Sequence, residues 1–128
     1  MIYLRTIENL KPKHLVLPAL NDGKGNFIRK DLPPELQLSP LFSFTRAENT
    51  NSYFAGGNFF GVIPYEGQYD ASSLLSFTTG TTGSVEQAKI IETRGEVRDL
   101  KWLHTLKYGN VLVAAKNNDS LLFYKLAK

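Results

Sequence analysis

The residues best equipped for chemistry in this 128-residue chain gather in one stretch, Ala55 to Ser72. It reads Ala-Gly-Gly-Asn-Phe-Phe-Gly-Val-Ile-Pro-Tyr-Glu-Gly-Gln-Tyr-Asp-Ala-Ser, a strand running into a tight loop. Tyr69 and Asp70 form a polar pair there. With Arg98, whose planar fork suits a carboxylate, they could build a polar site under the loop, or a buried ion pair that only holds it. Tyr65, Phe59, Phe60 and Trp102 could stack on a sugar ring, and the same rings read equally as packing between sheets. Asn58, Asn117, Asn118 and Asp119 follow apolar strands. They could face a ligand across a rim, or bond to nearby backbone and hold turns. The candidate ligand-binding set is therefore Tyr65, Tyr69, Asp70, Arg98 and Trp102. The candidate loop-holding set is Asn58, Asn117, Asn118 and Asp119.

Other chemistry finds no footing. The chain has no cysteine, hence no thiolate nucleophile and no disulfide. Its two histidines, His14 and His104, stand far apart without ligand spacing, so no metal is expected. No serine sits in a Gly-x-Ser-x-Gly turn, and the glycine-rich runs lack a following Lys-Ser or Lys-Thr. The reading is of a protein that is not an enzyme and takes no cofactor. Lys and Arg give a formal charge of +3 but are scattered, which argues against nucleic acid as a partner. No run approaches the ~20 apolar residues of a membrane helix.

The elements that must position these residues are strands. The apolar fraction of 42% supports a packed core. Residues 14–20 and 27–29 flank Asn21-Asp-Gly-Lys-Gly-Asn26, a hairpin turn rich in residues that tolerate positive φ. Pro18 places the first of these strands at an edge or near a strand end. Residues 31–40 carry several prolines and read as an extended connector. Strands are expected near 41–44, 53–55, 73–77, 85–91, 96–103, 111–115 and 121–126. A helix stays open as an alternative over 85–92 alone. Val97, Leu100, Trp102 and Leu103 are core candidates. Residues 1–13 are weakly patterned.

Landmarks recur. Gly25 and Gly83 stand 58 residues apart, and Asn58 and Asn117 stand 59 apart. The order of strand, polar turn, apolar strand and Asn-bearing loop repeats. The chain therefore reads as one all-β domain over 1–128, about two four-stranded antiparallel units, 14–72 and 73–128, with no substantial helix. Such repeats expose a face when alone and generally need about three or more units.

Several segments together, in order, resemble the C-terminal blades of FG-GAP/VCBS-repeat β-propeller proteins, in the branch related to the ASPIC/UnbV group. They are Asn21-Asp-Gly-Lys-Gly-Asn-Phe27, residues 32–40, Ala55-Gly-Gly-Asn-Phe-Phe-Gly61 with Tyr69-Asp-Ala-Ser72, Gly95-Glu-Val-Arg98 and Ala115-Lys-Asn-Asn-Asp119. The resemblance implies a seven-bladed propeller in a longer parent and a periplasmic, outer-membrane-associated or extracellular bacterial location, with the export signal absent from this chain. In that family the turn before the Ala-Gly-Asn strand is often a calcium loop rich in aspartate. Here the segment is Arg46-Ala-Glu-Asn-Thr-Asn-Ser52, with one carboxylate where calcium wants several anionic oxygens.

The function expected is that of a non-catalytic binding or interaction module. Its partners would be other blades of the parent or further copies of itself, with a glycan or protein at the rim. The alternatives are a supporting domain of a larger enzyme, or a structural unit that completes a propeller by self-assembly.

Overall fold

The computed structural model describes residues 2–5, 15–30, 32–61, 67 and 70–126. The described chain is all-β. Ten strands run β1 Ile2–Arg5, β2 Leu15–Asn21, β3 Phe27–Arg29, β4 Leu41–Arg46, β5 Ser52–Gly57, β6 Leu74–Thr79, β7 Val85–Ile91, β8 Val97–Thr105, β9 Gly109–Lys116 and β10 Leu122–Lys125. They form three antiparallel meanders: a first sheet β1-β2-β3, a central sheet β4-β5-β6-β7 and a last sheet β8-β9-β10. None closes into a barrel. One 3-10 turn, Pro34–Gln37, interrupts the proline-rich connector.

The segment 85–91 is a strand, which removes the helical alternative there. It pairs with β6 through a bulge opposite Phe77, where Gln87 takes a φ of 47°. Strand β1, in a region without clear pattern, pairs with β2 from Ile2↔Pro18 to Arg5↔Leu15. Pro18 thus lies inside the middle strand of its sheet and not on an edge strand. Pairing of β2 with β3 begins only at Ala19, so at Pro18 the strand has a single neighbour and the missing N–H costs no ladder bond on the other side. The central sheet spans 41–91 and crosses the 72/73 division drawn from spacing.

Alternation sorts the central sheet into two apolar faces. One carries Tyr53, Ala55, Leu75 and Phe77 and packs on Leu36 of the 3-10 turn. The other carries Phe54 and Leu74, which pack on Val97, Leu100, Leu112 and Ala114 of the last sheet. Strand β8 lies across β4 and β5 at this seam. A bulge between Val97 and Asp99 sets the order along β8, turning Val97, Leu100 and Trp102 inward. Leu103 consequently points outward and is 48% exposed, which corrects its reading as a core residue.

The Gly56-Gly57 pair has a packing cause. A Cβ on Gly56 would collide with Val97 Cγ1, and one on Gly57 with the Pro40 carbonyl. Backbone without side chains is what lets β8 and the connector approach β5. Gly56→Ala should therefore lower stability by ~1–3 kcal/mol, as overpacking of a full core does. Denaturant unfolding of Gly56→Ala alone and combined with Val97→Ala checks this. The double variant should be less destabilised than the sum of the two single changes.

Candidate functional site

Where β5 ends, the chain turns through Asn58 with a φ of 77°. Its side chain is 1% exposed, and all its polar atoms are used. Nδ2 donates to Ser73 Oγ at 2.7 Å and to the Gly95 carbonyl at 3.2 Å. Oδ1 accepts from the Ser72 backbone N–H at 3.1 Å, and the Asn58 N–H donates to the Pro40 carbonyl at 3.1 Å. An amide at this point is the short side chain that tolerates a left-handed backbone and still supplies both donor and acceptor.

Beside it sits Glu96, buried at the mouth of β8. Its carboxylate accepts from the Phe60 N–H at 2.6 Å, from Asn117 Nδ2 at 2.7 Å and from Arg98 Nη2 at 2.9 Å. The Phe60 N–H, then Asn117, and more weakly the charge of Arg98, hold its pKa below the ordinary 4.5 against the opposing effect of burial. Glu96 is thereby an ionised clasp joining the loop after β5 to the last sheet. The N–H of Asn117 also donates to the Glu96 carbonyl at 2.9 Å. Asn58 and Asn117 thus each follow the second strand of a sheet, and both are tied into this seam.

Arg98 completes the cluster. Its guanidinium lies 4.2 Å from the centre of the Phe42 ring and 5.5 Å from that of Phe59. Phe42 is the bulged residue of β4 and is half-exposed. The carboxylate partner of Arg98 is Glu96, a pairing that the sequence reading did not consider. Asp70 is exposed and makes no ion pair among the described residues. Tyr65 and Tyr69 lie outside the described residues. Trp102 stands edge-on to Phe54, ring centres 5.8 Å apart, between the central and last sheets. Its Nε1 is buried and has no hydrogen-bond partner among the described residues. Asn118, at a φ of 50°, and Asp119 form the exposed turn after β9. Asp119 accepts from Lys116 Nζ, which lowers its pKa, and from the Ser120 N–H.

Smaller ties fasten the same two sheets elsewhere. Ser43 Oγ donates to Asp99 Oδ1 at 3.1 Å and accepts from the Leu100 N–H at 3.0 Å. At the far end Asn110 Nδ2 donates to Glu48 Oε2 at 3.2 Å, while its Oδ1 meets His104 Nδ1 at 2.8 Å. Among the described residues no three His, Cys, Asp or Glu side chains converge as a metal site would require. No helix among them is long and apolar enough to cross a membrane.

A different surface stands open. On the last sheet, register places Lys101↔Val113↔Phe123 and Leu103↔Val111↔Lys125 on the outer face. Phe123 on β10 is 59% exposed and Leu103 on β8 48%, while Val111 between the two strands is buried. The middle strand β9 is thus apolar on both faces, the composition of a strand covered on both sides. The sequence carried this signal as the unbroken run Val111 to Ala115.

Comparison with protein-family models, with curated proteins and with solved structures returns no match.

Two outcomes follow for the polar seam. A carboxylate with a depressed folded pKa contributes stability that is present above the unfolded value and lost as pH falls through the folded value. Wild-type stability should therefore drop more steeply than that of Glu96→Gln as the pH falls below about 4.5, the ordinary glutamate value, followed by denaturant unfolding at each pH. Asn58→Ala leaves the Ser72 N–H with Ser39 Oγ alone, strips the Gly95 carbonyl and Ser73 Oγ of their amide donor, and puts an alanine in a left-handed conformation. It should cost at least ~2 kcal/mol in the same measurement.

Proposed function

We propose that this chain is a non-catalytic interaction module built of successive β-propeller-type sheets. Its working surface is the outer face of the last sheet. The observation that carries this reading is the apolar set Leu103, Val111, Val113 and Phe123 on that face, spread over two adjacent rows. An antiparallel sheet that ends against water ordinarily turns polar side chains outward. This one presents apolar ones, rimmed by Lys101 and Lys125, in the manner of a contact site.

The polar groups support the same reading from the other side. Glu96 is ionised and accepts from three donors, and Asn58 has no free polar atom. Neither is poised to exchange a proton with a substrate. Their geometry is that of fasteners between sheets. The resemblance to FG-GAP/VCBS-repeat propellers agrees with sheets that stack face to face. It also brings the exported bacterial location, which belongs to this proposal. A glycan at the rim is a second role for the same module, favoured by the half-exposed Phe42 stacked on Arg98.

The test uses dilute protein, where each chain is alone. An apolar-surface dye such as ANS should bind. The pair Leu103→Lys and Phe123→Lys should abolish most of that binding and leave unfolding stability within about 0.5 kcal/mol, as surface changes do. Absence of dye binding, or a large loss of stability in the pair, would show that the face is core and overturn the reading.

A further inference from the structure

The same face can be assigned an occupant. The argument rests on the reading of the three sheets as successive units of one repeat. At the 59-residue offset, Phe54 corresponds to Val113 and Gly56 to Ala115. Phe54 and Gly56 are the residues of the central sheet that receive β8 of the last sheet. Val113 and Ala115 lie on the outer face of the last sheet, opposite to the inward Leu112 and Ala114. The uncovered face is thus the repeat equivalent of a face already engaged one unit earlier. What fits it is another sheet of this kind.

The chain itself offers such a sheet at its other end. The first sheet carries Phe27 and Ile28 on successive positions of β3, hence on opposite faces, 54% and 56% exposed. The β2–β3 hairpin of the first sheet corresponds to β6–β7 of the central one at the 58-residue offset of Gly25 and Gly83. One end of the chain therefore presents an acceptor face, and the other a sheet with exposed apolar side chains.

We propose that two copies of this chain associate head to tail, the outer face of the last sheet in each receiving the first sheet of the other. Such a contact joins two different surfaces and forms a closed ring when the rotation fits. Three sheets among the described residues of each chain make six in the pair, within the range of about four to eight at which radial sheet repeats close. Trp102 and Leu100 at the existing seam indicate the kind of filling the new one has: large apolar side chains against a strand of small ones.

Sedimentation equilibrium of the wild-type chain, with Phe123→Lys and Phe27→Lys, tests this, because Phe27 corresponds at the 58-residue offset to Val85, on the face of the central sheet that carries Leu75 and Phe77. The wild type should show twice the mass of one chain. Each variant should weaken association at least about thirtyfold, the effect of losing a central interface anchor. Circular dichroism should show both variants still folded. Mixing the two variants should restore a pair, because each retains the surface the other lacks. A wild type monomeric at high micromolar concentration overturns the proposal, and the dye test still decides the module reading separately. A pair that survives Phe27→Lys but not Phe123→Lys also overturns it, since that result means that like faces meet. A pair untouched by either change overturns it too.

Discussion

The close approach of β8 to β5 is the constraint on which the rest of the structure depends. Val97 can enter the central sheet because Gly56 offers bare backbone. Leu100, Leu112 and Ala114 then reach Phe54 and Leu74, and one dry seam forms from two sheets. Individual contacts of this kind are weak, and the seam works because many atoms meet at close packing. The bulge between Val97 and Asp99 follows from the same contact. It lets Val97 and Leu100 face the seam together, three residues apart, and it turns Leu103 outward.

The polar cluster at the end of the seam is best understood as its fastening. A carboxylate buried at a sheet boundary is costly unless its oxygens are satisfied. Glu96 meets that condition with a backbone N–H from one sheet's loop and two side chains from the last sheet. Asn58 does the same with uncharged groups. Together they join Pro40, Ser72, Ser73 and Gly95, which are distant in sequence. The aromatic pair Phe42 and Phe59 shields the Arg98 guanidinium, leaving a cluster with almost no net charge.

Much of this was legible before any coordinates. Alternation and turn residues located the strands from β2 onward, since Asn-Asp-Gly and Thr-Gly-Thr-Thr-Gly have few other uses. The run Val111 to Ala115 announced a strand apolar on both faces. What could not be read was where one sheet ends and the next begins, and the identity of ion-pair partners. Arg98 invited pairing with Asp70 by residue type, yet Glu96 is two residues away on the same strand end, where alternation puts both side chains on one face. Bulges depend on what packs against the strand, so neither the outward turn of Leu103 nor the exposure of Phe42 could be inferred from alternation. The glycine pair after Ala55 was visible, but only the positions of Val97 and Pro40 explain it.

The central claim is that β8 crosses the central sheet at Gly56. Proton NMR with selectively labelled valine methyls measures this directly. Strong cross-relaxation from the Val97 methyls to the Gly56 Hα protons, together with contacts between the Trp102 indole and the Phe54 ring, is the result this account predicts. Val97 methyls that report solvent, or neighbours confined to their own sheet, would contradict it.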